Sequence, residues 1–141
     1  MIAKIKPIYL SLALCVIFFL IVFYLASSPR HAQATQYTEW PSVNKTIDGI
    51  EYTLHIADSD IKRQQGFMHV KSITGNNGIL FEFDKVGKHC MWMKNTHVPL
   101  VVIYYDSEWV ELNRINLSPH NLDLKCSEGA SKFAVEIGSL N

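Results

Sequence analysis

One feature constrains this chain before any other: an apolar run from Ile8 to Ala26, interrupted only by Ser11. Nineteen residues at about 1.5 Å each make a helix of roughly 28 Å, close to the hydrocarbon thickness of a bilayer. The run takes the N-terminal part of the 141 residues out of any globular core. From Thr35 about 107 remain, enough for one small domain. Two readings of the run stay open. It is an uncleaved membrane anchor, or it is a secretory signal, whose apolar region is usually about 7–15 residues long. Ala32-Gln33-Ala34 has the small-x-small form of a cleavage site but lies beyond Pro29 and Arg30. Cys15 follows Leu14, a poor match to a lipoprotein box, and reads as a thiol within the membrane. Lys4 and Lys6 precede the run and only Arg30 closely follows it. The expected topology is single-pass in the inner membrane through residues 8–26, with a cytoplasmic N-terminus and a domain in the periplasm or outside. From Thr35 onward ten Lys or Arg face thirteen Asp or Glu, 10 − 13 = −3, which argues against nucleic acid or anionic lipid as a partner.

The expected organisation is an anchor or signal over 1–26, a polar linker over 27–46 with Pro29 and Pro41, and an exported β domain over 47–141. Ile50, Tyr52, Leu54 and Ile56 alternate with polar residues, the period of a half-buried strand. Asp58 or Ser59 can cap a short helix over Asp60 to Gln65 that Gly66 ends, with Phe67 and Met68 dropping into the core beyond it. Further strands are expected at Ile79 to Phe83, Cys90 to Met93, Val98 to Tyr105, Trp109 to Ile115 and Ser131 to Ile137. Asp106-Ser107-Glu108 is the size of a hairpin turn, and Asn116 to Ala130 reads as a polar loop. The fold class is therefore mainly β (α+β), a compact antiparallel β sandwich or open barrel with one short helix, preceded by a transmembrane helix.

Chemistry concentrates in His89-Cys90-Met91-Trp92-Met93-Lys94-Asn95-Thr96-His97-Val98-Pro99-Leu100, which gathers a Trp, two Met, a Cys, two His and a Lys between two strands. Together with Arg63-Gln64-Gln65-Gly66-Phe67-Met68, Gly78-Ile79-Leu80-Phe81-Glu82-Phe83 and Val135-Glu136-Ile137, it resembles the bacterial and archaeal family known as domain of unknown function 192. The resemblance covers about Ile50 to Ile137. It implies a small, mostly β fold with one short helix and no established activity. The chain departs from the family pattern at Phe67, where Leu is usual, and at Val101, where an Asp follows Pro-Leu. It also stops four residues after Ile137, where relatives continue. An edge shortened in this way is open to completion by a partner chain.

Lys94, Asn95 and Thr96 put a charged donor, an amide and a hydroxyl on one turn, suited to an anionic or sugar-like ligand. The alternative is structural: Lys94 pairs with Glu136, while Asn95 and Thr96 satisfy a buried turn. Trp92, Met68 and Arg63 are expected to flank that site. Arg63 is placed to cap carbonyls or reach Glu136 or Asp84, and Trp92 is expected to be mostly buried with its indole N–H paired. Trp109, Tyr104 and Tyr105 lie near a hairpin tip, either exposed for binding or packed.

Cys90 and Cys126 are the two Cys outside the membrane. They form a disulfide in an oxidising compartment, or remain as two unpaired thiols. Met68, His69, His89, Cys90, Met91, Met93 and His97 invite a copper(I) reading, but alternation along a strand prevents His89 and Cys90 from both joining Met91 and Met93 on one face. No metal and no cofactor is assigned, and no residue is assigned a catalytic role. The expected function is a non-catalytic, ligand- or partner-binding accessory module of the cell envelope, its partner an envelope protein or a small polar ligand. An enzyme acting on an envelope glycan, using Glu136 with Glu82 or Asp84, is one alternative. A copper-handling protein is another.

Overall fold

A computed structural model of the chain describes residues 15–21 and 37–139. The chain divides into two units, Met1–Ala32 and Gln33–Asn141. In the first, residues 15–21 are helical and exposed. The rest of the expected anchor lies outside the described residues. Among the described residues no helix is long and apolar enough to cross a membrane.

Among its described residues the second unit is mainly β, with eight strands and one short helix. The strands are β1 (Ser42–Ile47), β2 (Ile50–Ala57), β3 (Asn77–Gly87), β4 (Cys90–Met91), β5 (Leu100–Tyr105), β6 (Glu111–Leu117), β7 (Lys125–Cys126) and β8 (Ser131–Gly138). Six of them form one sheet in the order β1-β2-β3-β8-β5-β6, and β4 pairs with β7 in a separate two-stranded ribbon. Within the large sheet only β2 and β3 run parallel. A parallel pair needs a crossover. Here it carries the helix Asp60–Gln65, which Ser59 caps by accepting from the Lys62 N–H at 3.4 Å. The helix ends at Gly66, whose φ of 43° lies in the left-handed region that favours glycine.

The linker boundary is corrected by β1. Residues 42–46, expected in the linker, form most of an edge strand, and Tyr37 is buried in the core. β1 is mostly exposed, so it carries no apolar alternation to betray it. Its turn does carry a signal. Asp48 and Gly49 both have positive φ, 51° and 80°, as a tight two-residue hairpin demands. The expected loop over 116–130 likewise contains the short strand β7.

Alternation assigns each sheet residue to one of two faces. One face carries Tyr52, Leu54, Leu80, Ile103, Tyr105, Val135 and Ile137, all buried. Everything packed against it comes from the same strands and the hairpin tip Trp109, so the sheet curls over this face itself. β1 and β6 are opposite edges of the strand order, yet Arg114 on β6 donates to Asp48 beside β1 at 2.7 Å. Lys45 on β1 lies 3.6 Å from the centre of the Trp109 ring, which also stacks on Phe133 at 4.2 Å and packs against Tyr105 at 5.4 Å. Val101, the departure from the family pattern, packs on this curled face.

The second face carries Ala57, Ile79, Phe81, Leu100, Val102, Tyr104 and Ala134. No strand of the large sheet covers it. Its cover is made of Tyr37, Phe67, Val70, Met91, Met93 and Val98, from the crossover, the β4–β7 ribbon and the loops. Tyr104, one of the hairpin-tip aromatics, is fully buried here, and its hydroxyl donates to the Lys125 carbonyl of β7 at 2.6 Å, tying the ribbon down. Cys90 and Cys126 face each other across that ribbon and are joined by a disulfide.

Candidate functional site

The loop-covered face is incompletely filled. A small pit of about 30 Å³ lies beneath the end of the short helix, and Glu136 forms part of its wall with Gly66, Phe67, Met68 and Thr96. Beside it an open cleft of about 470 Å³ runs between the helix and β4, bounded by Asp60, Asp84, Phe83, His89 and Cys90. Arg63, Phe81, Met91 and Trp92 border both, so the pit is the inner end of the cleft.

Glu136 reaches this position by register. It is opposite Ile79 of β3 and Val102 of β5, both on the loop-covered face. It is 4 % exposed and has no hydrogen bond or ion pair among the described residues. Burial pushes its carboxyl up to about 8, since an unpaired charge is disfavoured away from water. His55 lies in the same row, opposite Ile79 from the β2 side, and its buried Nδ1 is also without a partner. His55 packs edge-on against the Tyr37 ring at 5.1 Å.

Arg63 is held at the mouth. Its Nη1 donates to the Glu82 carbonyl at 2.7 Å and to Asp84 at 3.3 Å, and its Nη2 donates to Asp60 at 2.7 Å and to Asp84 at 3.2 Å. It therefore caps a carbonyl and reaches Asp84, but not Glu136. Glu82 and Glu136 do not form a carboxylate pair. Glu82 is exposed and alternation turns it to the other face, while Asp84 is taken up by Arg63.

The Lys94–Thr96 turn differs from its expected role. Lys94 does not pair with Glu136. It is exposed, with Nζ 5.2 Å from the centre of the Trp92 ring, and neither Lys94 nor Asn95 borders the pit or the cleft. The turn is a clasp. Asn95 has φ 55° and its carbonyl accepts from the His69 N–H at 2.8 Å, while the Thr96 carbonyl accepts from the His120 N–H at 3.2 Å. His69 and His120 are themselves left-handed, with φ 65° and 61°. Asn tolerates that conformation better than most residues, which gives Asn95 a backbone reason to be there. Thr96 is buried, and its hydroxyl donates to the Lys94 carbonyl at 3.3 Å.

Five of the seven expected site residues thus surround one cavity: Arg63, Met68, Trp92, Thr96 and Glu136. Trp92 is 44 % exposed rather than buried, because the two-residue strand β4 ends just before it and leaves it on the rim. Sequence reasoning missed Asp60 and Phe83, and weighed His89 only for metal or thiol chemistry. The Phe83 and His89 rings stack at 3.6 Å and 7°, and His89 Nε2 donates to the Lys85 carbonyl at 2.9 Å. The disulfide removes Cys90 as a thiolate ligand or nucleophile. Among the described residues no three His, Cys, Asp or Glu converge in a way that could hold a metal ion.

The family model for domain of unknown function 192, described as Uncharacterized ACR, matches residues 43–139. The chain belongs to this family. Among solved structures, it is similar to a Sinorhizobium meliloti 1021 protein described as a proposed transcription regulator. That match has 26 % identity and a TM-score of 0.62, over 64 % of this chain and 70 % of the other. It also shares its fold with a protein of unknown function from Novosphingobium aromaticivorans DSM 12444. There the identity is 16 % and the TM-score 0.59, over 80 % and 88 % of the two chains. No curated protein matches the chain. In this member of the family, residue 101 belongs to the curled face, so the Val101 departure leaves the cleft's own side chains in place.

Proposed function

We propose that this chain is a membrane-anchored, exported binding module of the cell envelope, whose cleft between the short helix and β4 takes a small polar ligand. The observation that carries this reading is the convergence of Arg63, Met68, Trp92, Thr96 and Glu136 on one pit that opens into a larger cleft. A concave site with apolar walls and a few placed polar groups is the usual form of a small-molecule site. Trp92 offers an exposed aromatic face at the rim, while the clasped turn and the ion-paired Arg63 keep the walls rigid. The Cys90–Cys126 bond supports an exported location, because disulfides persist in oxidising compartments. The apolar run over 8–26 supports retention in the inner membrane, with residues from about 30 onward outside.

Two measurements test the proposal on the full chain. Protease added to spheroplasts is expected to digest the domain while the N-terminal segment stays with the membrane; protection of the domain would contradict export. In detergent, a thermal-shift panel of small polar compounds is expected to give stabilising ligands whose effect disappears in Trp92→Ala. Ligands indifferent to that substitution would place binding elsewhere.

A further inference from the structure

We infer that the cleft recognises a primary alkylammonium group, held by the Glu136 carboxylate in the pit with its alkyl stem lying along Phe81, Met91 and Trp92. The inference rests on the cleft being the ligand site and names the chemistry that fits it. Four observations converge. First, Glu136 is 96 % buried (4 % exposed) and has no partner among the described residues. His55 Nδ1 is the one fully enclosed side-chain polar atom without a partner there, so the unpaired Glu136 oxygens keep access to the pit. A buried carboxylate without a partner is costly, and an incoming cation supplies the partner.

Second, the pit holds about 30 Å³. That is room for a small head group of about the size of an ammonium. Third, the cleft is acceptor-rich. Three carboxylates (Asp60, Asp84 and Glu136) stand against two cations (Arg63 and Lys85), and both terminal nitrogens of Arg63 are already engaged. An anionic ligand would meet a guanidinium already neutralised by its neighbours. Fourth, the apolar part of the cleft wall, Phe81, Phe83, Met91 and Trp92, is aromatic or thioether, a surface that suits an alkyl stem and the face-on approach of a cation.

Proton linkage follows. Burial holds the Glu136 proton until about pH 8 in the free protein, whereas an ammonium favours the carboxylate. Binding therefore releases a proton from Glu136 at neutral pH. The other titratable groups on elements packed around Glu136 include Asp60 and Arg63 on the helix, His55 on β2, Tyr104 on β5, and Asp84, Lys85 and His89 at the cleft edge.

The test is isothermal titration of the full chain in detergent with n-butylammonium, n-butanol and butyrate. The amine is expected to bind at least tenfold more tightly than either isostere. Its affinity should rise close to tenfold per pH unit between about pH 5.5 and 7.5. Glu136→Gln, which keeps the shape without the charge, is expected to abolish amine binding. Calorimetry in buffers of different ionisation enthalpy should report a proton released on binding to the wild type. Nα-acetyl-lysinamide, titrated alongside, separates the sources of the group: tighter binding than butylammonium assigns it to a peptide side chain, weaker binding to a free alkylamine. Equal amine binding by Glu136→Gln would overturn the inference, as would a flat pH dependence. If butanol binds as well as the amine and is lost in Trp92→Ala, the ammonium assignment fails while the cleft stands as a ligand site. If none of the three binds, the inference fails outright.

Discussion

The two faces of the six-stranded sheet are built from the same strands and the same alternation, yet they end differently. The curled face is sealed by its own edges. Leu54, Ile103 and Val135 are inaccessible there, and the closing contacts are the Arg114–Asp48 pair and the Lys45–Trp109–Phe133 stack. The opposite face is covered by a crossover and a two-stranded ribbon, and it retains a pit, a cleft and two buried polar groups without a partner among the described residues. Sheet covering sheet leaves little room for a polar side chain. Loops covering sheet must place individual residues one at a time, and spaces open between them. The run from Met91 to Val98 belongs to that cover.

The comparison can be broken at both ends. Replacing Cys90 and Cys126 with Ser removes the link between the two strands of the ribbon that covers the open face. The cross-linked loop has a separation of 36 residues, worth about 4 kcal/mol on the chain-entropy model. Denaturant unfolding should show that loss, and hydrogen exchange should place the first opening at Cys90–Met91 and Lys125–Cys126. Uniform loss of protection over both faces would argue against a separable cover. On the sealed face, Ile103→Ala leaves a cavity with no loop free to collapse into it and is expected to cost about 3 kcal/mol. A cost below about 1 kcal/mol would mean that this face is looser than described.

Gly66→Ala acts on the cover. A Cβ there meets Phe81 at 3.4 Å and Glu136 Oε2 at 3.7 Å, with φ at 43°. Left-handed strain alone predicts a loss of about 1–2 kcal/mol in thermal or chemical unfolding. Trp92→Ala, at the rim, is expected to change stability by less than about 0.5 kcal/mol in the same assay. A larger effect would mean that Trp92 serves the core rather than the cleft.

Much of the fold was legible. The alternating residues of β2, β3, β5 and β8 fall on strands, Ser59 and Gly66 bound the helix, and Cys90 and Cys126 pair. What the strand period could not reveal is that both faces are covered. In Val135-Glu136-Ile137 alternation sets Glu136 opposite its apolar neighbours, which on a one-sided sheet is the solvent side. Lys94 was therefore a reasonable partner for it. The burial of Glu136 depends on a crossover helix and a ribbon distant in sequence. The edge strand β1 was hidden for a different reason: its exposed residues carry no pattern, and only the Asp48-Gly49 turn marks it. The site residues were named, but from a resemblance and a turn; the cavity they share is a product of tertiary packing.

The central claim is that Glu136 is buried and uncharged at the inner end of the cleft, and its linkage to pH tests that most directly. The unfolded chain releases this proton near its ordinary value of 4.5, and the folded chain holds it until about 8. Between those values the unfolded state binds fewer protons than the native state, so raising the pH lowers stability, by up to about 1.4 kcal/mol per pH unit. Unfolding free energies of the full chain and of Glu136→Gln, measured in detergent from pH 4.5 to 8.5, should start close together and diverge as the pH rises. The variant should become the more stable by a few kcal/mol at the alkaline end. A constant gap, or a wild type that gains on the variant as pH rises, would mean that Glu136 is ionised and paired in the folded protein.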